Sequence, residues 1–128
     1  ESIENSSDFK NIVNSIFQEK VDKLFNDNAF ELDARAIQLT KGGHYRSHCD
    51  TYASEINILY YVNQNWVWDW GGILNICSES DEEYCKSIFP KYNRAVFLNN
   101  KKFHSPHFIS PVTKYALNSR FSVVIFST

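Results

Sequence analysis

Short segments rich in Val, Ile, Tyr and Phe follow one another through most of the chain, and this alternation constrains the fold more than any other feature. The strand-like segments are residues 34–39, 45–48, 54–62, 73–77, 95–98, 107–112 and 120–127. Turn-forming residues separate them at 41–43, 63–65, 71–72, 78–81, 99–100 and 118–119. Many short strands after a single helix predict a mainly β fold, a β-sandwich or jelly roll with helical support.

The supporting helix is predicted at the N-terminal end of the chain. Between residues 7 and 25, apolar side chains recur at helical spacing, which predicts a helix of about residues 7–26 lying against a sheet. The apolar positions are Phe9, Ile12, Val13, Ile16, Phe17, Val21, Leu24 and Phe25. The β core would run from about residue 33 to residue 128. No internal repeat interrupts the chain, so we expect one domain over residues 1–128.

The composition is that of a globular protein: of 128 residues, 43% are hydrophobic and 22% are charged, with a net charge of −2. Because the two signs are interspersed, we expect neither a nucleic-acid surface nor a membrane patch. No apolar run has the length of a transmembrane helix, and no signal peptide is visible. Cys49, Cys77 and Cys85 are odd in number and lack a CxxC spacing, which predicts reduced thiols and a cytoplasmic location.

A His-x-Asp pair is the strongest chemical signal. His48 and Asp50 are two residues apart, so in a strand both side chains point to one face and can hold one metal ion. A third ligand must come from another strand, and two imidazoles with one carboxylate form the ligand set of non-haem Fe(II) oxygenases. His107 opens an extended segment and is favoured; His104 remains the alternative third ligand. A zinc site that also used His44 is disfavoured, because a four-residue spacing suits a helix and Gly42 and Gly43 argue against one.

Arg120 and Ser122 are also two residues apart and share one face of a strand. A buried arginine needs a counter-charge, which could be an internal carboxylate such as Glu55 or Asp69, or the carboxylate of a cosubstrate. Arginine is suited to two-pronged carboxylate recognition, so beside a metal site the second interpretation is favoured. Metal site and acid anchor together indicate an oxygenase that uses a keto acid.

Trp66, Trp68 and Trp70 alternate along the chain and are expected to share one face of an extended segment. Packing over the core is the favoured interpretation, and a substrate lip is the alternative. Gly71 and Gly72 follow directly and predict a turn or a close approach of the backbone to another group.

In this order, the motifs resemble those of the Fe(II)/2-oxoglutarate-dependent dioxygenases, and most of all their prolyl-hydroxylase-like branch. The resemblance covers about residues 34–128 and rests on GHYRSHCD at 43–50, ILYYVN at 58–63, Trp66, WGGIL at 70–74, FPKYNRAVF at 89–97, HFISPV at 107–112 and RFS at 120–122. The YVN and WGGIL blocks are more diagnostic than the metal ligands alone. The resemblance implies a double-stranded β-helix, the cupin-like jelly roll.

The resemblance also implies roles for individual residues. His48, Asp50 and His107 would bind Fe(II), and Arg120 would pair with the distal carboxylate of 2-oxoglutarate. Tyr61 would assist Arg120, Ser122 would be a minor contact, and Gln38 stands where these enzymes often have a cosubstrate-contacting tyrosine. The residues expected near the substrate are Arg46, Tyr52, Trp66 and Trp70. A carboxylate at position 50, in place of the Gly or Ala of related halogenases, favours hydroxylation.

The expected function is therefore hydroxylation of an unactivated carbon in a peptidyl, prolyl-type residue, using Fe(II), 2-oxoglutarate and O2 and releasing succinate and CO2. The alternative substrate is a free amino acid or a natural-product intermediate. It would need an additional charged clamp such as Arg46 or Arg94. A third hypothesis is a non-enzymatic β-sandwich binding module, which predicts no iron binding.

Overall fold

Two four-stranded antiparallel sheets and one helix form the fold in the computed structural model, which describes residues 7–25, 32–50, 55–78, 83–100, 102 and 104–127. The elements are α1 (Ser7–Phe25), β1 (Leu32–Leu39), β2 (Tyr45–His48), β3 (Ile56–Tyr61), β4 (Leu74–Cys77), β5 (Cys85–Ile88), β6 (Ala95–Asn99), β7 (His107–Ile109) and β8 (Arg120–Ser127). The strand order is β1-β8-β3-β6 in the first sheet and β2-β7-β4-β5 in the second. This is the mainly β, double-stranded β-helix architecture that the resemblance implies.

The first sheet is apolar on both faces because it packs against the helix on one side and the second sheet on the other. Ile56 and Ile58 of β3 share a buried cluster with Val13 and Phe17 of α1. Leu59 and Tyr61 of the same strand belong to a second cluster, which also contains residues of β4 and β7. Alternate side chains of a strand point to opposite faces, so β3 reads as a nearly continuous apolar run.

The helix agrees with its predicted bounds but buries a narrower stripe than expected. Val13 and Phe17 are buried, whereas Ile12 and Ile16 are 59% and 53% exposed. The side chains of Phe9, Val21, Leu24 and Phe25 are not among those that the structure describes. Among the described residues, no helix combines the length and hydropathy needed to cross a bilayer.

Strand β5 was missed by the sequence analysis, because its sequence Cys-Lys-Ser-Ile lies mostly exposed at a sheet edge and carries no apolar alternation. Strand β7 is shorter than the predicted 107–112 segment and ends before Ser110, whose hydroxyl accepts a hydrogen bond from the backbone N–H of Ile73. Most of the turn predicted at 78–81 lies outside the described residues.

The expectation that the three tryptophans share one extended face is wrong. Residues Trp68–Trp70 form a 3-10 helix, in which alternate residues do not point the same way. Trp66 is buried and Trp68 is 59% exposed, with its ring 4.9 Å from that of Phe89. The favoured interpretation, that these tryptophans pack over the core, holds for Trp66, which belongs to the buried cluster between the two sheets.

Candidate active site

Three potential metal ligands converge at one end of the space between the sheets. His48 at the end of β2 lies directly opposite His107 at the start of β7, and Asp50 follows β2. Nε2 of His107 is 3.0 Å from Oδ2 of Asp50, and Nε2 of His48 is 3.5 Å from Oδ1. The donor atoms of all three residues lie within 4.8 Å of one another. No other such group of three is found in the part of the chain that the structure describes.

A β-bulge aims the side chains of β2. Tyr45 pairs with Ile109 and His48 pairs with His107, so β2 advances by three residues where β7 advances by two. The extra residue shifts the alternation of faces, and Tyr45 and His48 consequently both line the same cavity. Asp50 lies two residues beyond the end of β2, so regular strand alternation does not by itself account for its position beside His48.

The histidine tautomers suit metal binding. Nδ1 of His48 lies 2.6 Å from the carbonyl oxygen of Arg46, and Nδ1 of His107 lies 3.0 Å from that of Ser105. A carbonyl oxygen only accepts hydrogen bonds, so each Nδ1 must carry the proton and donate it. In the neutral form of each ring, Nε2 then has a lone pair on the side of Asp50, which is how metal-binding histidines are commonly held. When His107 carries a second proton, its Nε2 instead donates that proton to Asp50.

The charges of the group favour a bound cation. The hydrogen bond from His107 lowers the pKa of Asp50 against the opposing effect of burial, and the charges of both histidines and the Asn57 amide lower it further. Burial alone would lower the pKa of His107, but its bonds to Asp50 and Ser105 and the charge of Asp50 outweigh burial and raise it. A metal ion would displace the proton that Asp50 and His107 share.

Asn57 is a site residue that the sequence analysis missed. Its side chain is 2% exposed, and its Nδ2 donates a 2.6 Å hydrogen bond to Oδ2 of Asp50. Its Oδ1 is buried without a hydrogen-bond partner. The available signal was a polar residue on the inward face of β3, in line with Leu59 and Tyr61.

Arg120 is buried among apolar side chains with part of its guanidinium unpaired. It is 1% exposed, its Nη1 lies 3.4 Å from the Ser122 hydroxyl, and its Nε and Nη2 have no hydrogen-bond partner. Its guanidinium carbon is 5.1 Å from the ring centroid of Tyr61, whose hydroxyl is also buried and unpaired. Glu55 and Asp69, the internal carboxylates considered as partners, are both exposed. Unpaired donors of this kind fit the carboxylate of a ligand.

Burial and nearby charge shift the pKa values of Arg120 and Tyr61 in opposite directions. Burial lowers the pKa of Arg120, and the nearby Tyr61 raises it. Burial raises the pKa of Tyr61, while the charges of Arg120 and Arg94 lower it. Arginine remains protonated in proteins and burial favours the protonated phenol of Tyr61, so both side chains can donate to an incoming carboxylate.

Gly72 provides the space that Arg120 occupies. A Cβ atom on Gly72 would lie 2.6 Å from Cδ of Arg120, and the residue has a φ of +65°, which favours glycine. On the preceding Gly71, a Cβ atom would lie 2.1 Å from the carbonyl oxygen of Pro111. Both glycines therefore serve the close approach that the sequence predicted.

A cavity of about 260 Å³ opens beside the metal-ligand group. Its lining consists of Arg35, Ile37, Tyr45, His48, Asp50, Asn57, Leu59, Leu74, His107, Ile109, Val124 and Phe126. Arg120 and Ser122 precede Val124 on the same face of β8, but the buried guanidinium does not line the cavity. Arg35 and Tyr45, which the sequence analysis did not select, are exposed residues of this lining.

Other candidate residues lie away from the cavity. Gln38 is exposed and its Nε2 donates to the Ser119 hydroxyl at 3.1 Å, while the neighbouring Ile37 lines the cavity. Arg46 is exposed, and His104 is exposed and outside the metal-ligand group.

Trp66 and Trp70 are likewise not part of the cavity lining. Their ring centroids are 5.1 Å apart, and Nε1 of Trp66 donates a hydrogen bond to the carbonyl oxygen of Gly71. Tyr52 lies outside the described residues.

Comparison with known proteins gives a consistent family and fold. The sequence profile of the 2OG-Fe(II) oxygenase superfamily matches residues 34–128. A prolyl-4-hydroxylase from Pseudomonas putida superposes with a TM-score of 0.69 at 18% identity, covering 84% of this chain and 59% of its own. A 2OG-Fe(II) oxygenase family oxidoreductase from Burkholderia pseudomallei gives 0.75 at 15% identity, covering 97% of this chain and 57% of its own.

A prolyl hydroxylase from Trichoplax adhaerens, solved with a peptide fragment of the hypoxia inducible factor oxygen degradation domain, gives a TM-score of 0.67 at 20% identity. The match covers 88% of this chain and 55% of the Trichoplax chain. The chain thus spans less than two thirds of each of these three structures. No curated protein sequence matches it significantly.

Proposed function

The chain belongs to the 2OG-Fe(II) oxygenase superfamily, and we propose that it hydroxylates an unactivated carbon, in a peptidyl, prolyl-type residue, with Fe(II) and 2-oxoglutarate. The observation that carries this proposal is that one fold combines a group of potential metal ligands with a buried arginine, two of whose nitrogen atoms lack hydrogen-bond partners. Two histidines and an aspartate present their donor atoms to one point, and a buried arginine offers unpaired nitrogen atoms. A structural role alone explains neither feature well.

Each part of the site has a proposed role. His48, Asp50 and His107 would hold Fe(II) on one side and leave the other side open. When bound, the ion would supply O2 activation, while 2-oxoglutarate would supply two electrons and leave as succinate and CO2. Arg120 would bind the distal carboxylate with the hydroxyls of Tyr61 and Ser122. Gln38 is not part of this proposal, since its side chain bonds Ser119 outside the cavity.

The apolar cavity wall would protect the reaction from water. Leu59, Leu74 and Ile109 are buried, and they line the cavity together with the metal-ligand group. Excluding water strengthens the electrostatic contacts inside a site and prevents side reactions. Asn57 would hold Asp50 in one orientation through its 2.6 Å hydrogen bond.

A peptide substrate is supported by the likeness of fold to the Trichoplax enzyme, which was solved with a peptide. The second candidate is a small carboxylic acid, because Arg35 lines the cavity. Arg35 is paired with Asp33 at 3.3 Å, so an acidic substrate would have to compete with that carboxylate. Arg46 is not part of the lining, and Nη1 of Arg94 donates to the carbonyl oxygen of Phe89. We also propose a cytoplasmic location, because cysteines remain reduced in that compartment.

The first test is spectroscopic. Fe(II) and then 2-oxoglutarate are added without oxygen, and the visible metal-to-ligand charge-transfer band is recorded. We expect the band with the unaltered protein and with Asp69→Ala, which removes an exposed carboxylate, and its loss with Asp50→Ala. A folded protein that binds no iron would contradict the proposal and favour the binding module.

The substrate class is tested separately. Succinate formation is measured with proline-containing peptides and with free amino acids as the only added substrates. The proposal expects stimulation by the peptides. Stimulation by an acidic small molecule alone, lost in Arg35→Ala, would support the second candidate instead.

A further inference from the structure

Two cysteines face each other across the hairpin formed by β4 and β5. Cys77 and Cys85 are register partners, and their sulfur atoms are 2.7 Å apart. The backbone N–H of Ser78 donates to the carbonyl oxygen of Tyr84 at 3.1 Å. That hydrogen-bonded pair adjoins the cysteines, so Cys77 and Cys85 occupy a non-hydrogen-bonded position of the ladder.

This position allows a disulfide without movement of either strand. Opposed residues at a non-hydrogen-bonded position have Cα atoms about 4.5 Å apart, and disulfides span Cα distances of about 4.4–6.8 Å. Sequence spacing alone predicted three unrelated reduced thiols, because it does not reveal which strands are neighbours.

From this geometry we propose that Cys77 and Cys85 form a redox-responsive dithiol that closes to a disulfide across the β4–β5 hairpin. The two thiols lose two protons and two electrons as the sulfur–sulfur bond forms. A small-molecule disulfide of the glutathione class accepts them and becomes two thiols. One cysteine first forms a mixed disulfide with the reagent and releases one thiol, and the other cysteine then attacks the protein sulfur of that mixed disulfide and releases the second thiol. In a reducing compartment the dithiol is the resting form and oxidation is transient.

The pair is open to such a reagent. Cys85 is exposed and Cys77 is half-buried, and β5 is the edge strand of its sheet. The third cysteine, Cys49, follows β2 at the opposite edge of the same sheet, so β7 lies between β2 and the strand of Cys77, and both β7 and β4 lie between β2 and the strand of Cys85. Neighbouring strands are about 4.8 Å apart, so strands β2 and β4 are separated by about 10 Å, which is more than the Cα distance of about 4.4–6.8 Å that a disulfide spans.

The disulfide would stabilise the strand beside a proposed metal ligand. The backbone N–H of Cys77 donates to the carbonyl oxygen of Pro106 at 2.7 Å, and Ile76 is the register partner of His107. Linking β5 to β4 restrains the edge of the sheet that carries this contact. Neither thiol lines the cavity, so formation of the disulfide does not require the proposed enzymatic activity.

The test equilibrates the full chain in buffers of oxidised and reduced glutathione, quenches with acid and alkylates the remaining thiols. Intact mass and peptide mapping then count the free thiols and identify the linkage. We expect one reversible Cys77–Cys85 disulfide that also forms in Cys49→Ser and is lost in both Cys77→Ser and Cys85→Ser. Three alkylated thiols in the most oxidising buffer, or a linkage through Cys49, would overturn the proposal.

A second measurement follows the fold itself. Closing a short loop removes conformations from the unfolded chain, so the oxidised protein should melt about 5–10 °C above the reduced protein. The melting temperature of Cys77→Ser should not respond to the redox buffer. Equal melting temperatures for the two states of the unaltered protein would contradict a stabilising disulfide.

Discussion

At the scale of single residues, Arg120 decides between a structural and a functional interpretation of the core. Two of its nitrogen atoms are buried with no hydrogen-bond partner. Leaving charged donors unpaired in an apolar environment costs stability, so a purely structural arginine at this position would be disfavoured. The proposed binding of the 2-oxoglutarate carboxylate would give these nitrogen atoms their missing partners.

Replacing Arg120 should separate stability from ligand binding. Arg120→Met removes the unpaired buried donors, so we expect the free energy of unfolding of the ligand-free protein to rise by about 1–3 kcal/mol. The same change should abolish stabilisation by 2-oxoglutarate, while iron binding persists. Urea denaturation with and without 2-oxoglutarate provides both measurements. A loss of stability together with a loss of iron would instead indicate that Arg120 supports the fold.

The third metal ligand is tested by a matched pair of histidine variants. His107→Ala removes a buried imidazole whose Nε2 faces Asp50, and we expect it to abolish iron-dependent 2-oxoglutarate turnover. His104→Ala alters an exposed residue outside the group and should retain most of the turnover. Succinate formation is the assay, and the opposite pattern would make His104 the ligand.

Asn57 is expected to set metal affinity without binding the metal. Asn57→Leu deletes the hydrogen bond that orients Asp50, and such supporting contacts typically contribute 10–100-fold to affinity. Competition with a chelator for Co(II), used in place of Fe(II), measures the change. Asn75→Leu on β4 is the control, because its amide bonds the carbonyl oxygen of Ile73 and not a ligand. Equal affinities in the two variants would exclude a positioning role for Asn57.

Among the elements, irregular segments adjust side-chain positions in the site that regular strands alone would not give. The bulge in β2 turns both Tyr45 and His48 toward the cavity, and the backbone at Gly71 and Gly72 leaves room for Arg120 and Pro111. Bulges and left-handed glycines often re-aim side chains where a regular ladder cannot.

Gly72→Ala should disturb the cosubstrate anchor, and Gly42→Ala is its matched control. Both glycines have positive φ, +65° and +83°, so alanine at either position should cost roughly 1–2 kcal/mol of backbone strain. Only at Gly72 would the new Cβ meet another residue, Cδ of Arg120 at 2.6 Å. Urea denaturation and 2-oxoglutarate titration should show a loss of stability in both variants and weaker 2-oxoglutarate binding in Gly72→Ala alone. Unchanged binding in Gly72→Ala would mean that Arg120 tolerates displacement.

At the scale of the whole molecule, two sheets bring residues from distant parts of the sequence to one cavity. His48 and His107 are paired across β2 and β7, while Arg120 and Tyr61 are neighbours across β8 and β3. The helix covers the outer face of the first sheet and so leaves the inner face to the site. The Asp50–His107 pair couples stability to metal binding, because the same atoms that form the ion pair are those that would bind the metal.

This coupling predicts opposite pH dependences for the metal-free and metal-loaded protein. The pKa of His107 is raised above 6.5, so its contribution to stability is complete below pH 6.5 and is lost as the pH rises through the folded-state value. The pKa of Asp50 is lowered below 3.8, so its contribution is present above pH 3.8 and is lost as the pH falls through the folded-state value. Without metal, this pair is expected to contribute most between these limits.

Metal binding requires unprotonated Nε2 of His107, so affinity should rise with pH until His107 is neutral. Thermal unfolding with and without Co(II) across neutral pH measures both trends. The metal-free protein should lose stability as the pH rises, while the stabilisation by Co(II) should grow. Asp50→Asn should flatten the metal-free dependence. Parallel slopes in the two forms would contradict the proposed competition between proton and metal.

Local patterns in the sequence contain much of this arrangement. Helical periodicity predicts α1, and β-branched and aromatic runs predict most of the strands. The order of His48, Asp50, His107 and Arg120, with the surrounding motifs, predicts the family. These features depend on neighbouring residues in the chain or on short motifs, so they can be recognised in the sequence without knowing which strands pair.

Only the tertiary structure decided which side chains meet. The polar edge strand β5 and the bulge in β2 arise from pairing with strands far away in the sequence. That pairing places Asn57, Tyr45 and Arg35 on the cavity and leaves Gln38 outside it. Sequence periodicity determines the face of a strand within one element, whereas the neighbours across a sheet are selected by packing of the whole chain. The sequence therefore determined the ligand types, and the fold determined the geometry that could make them a site.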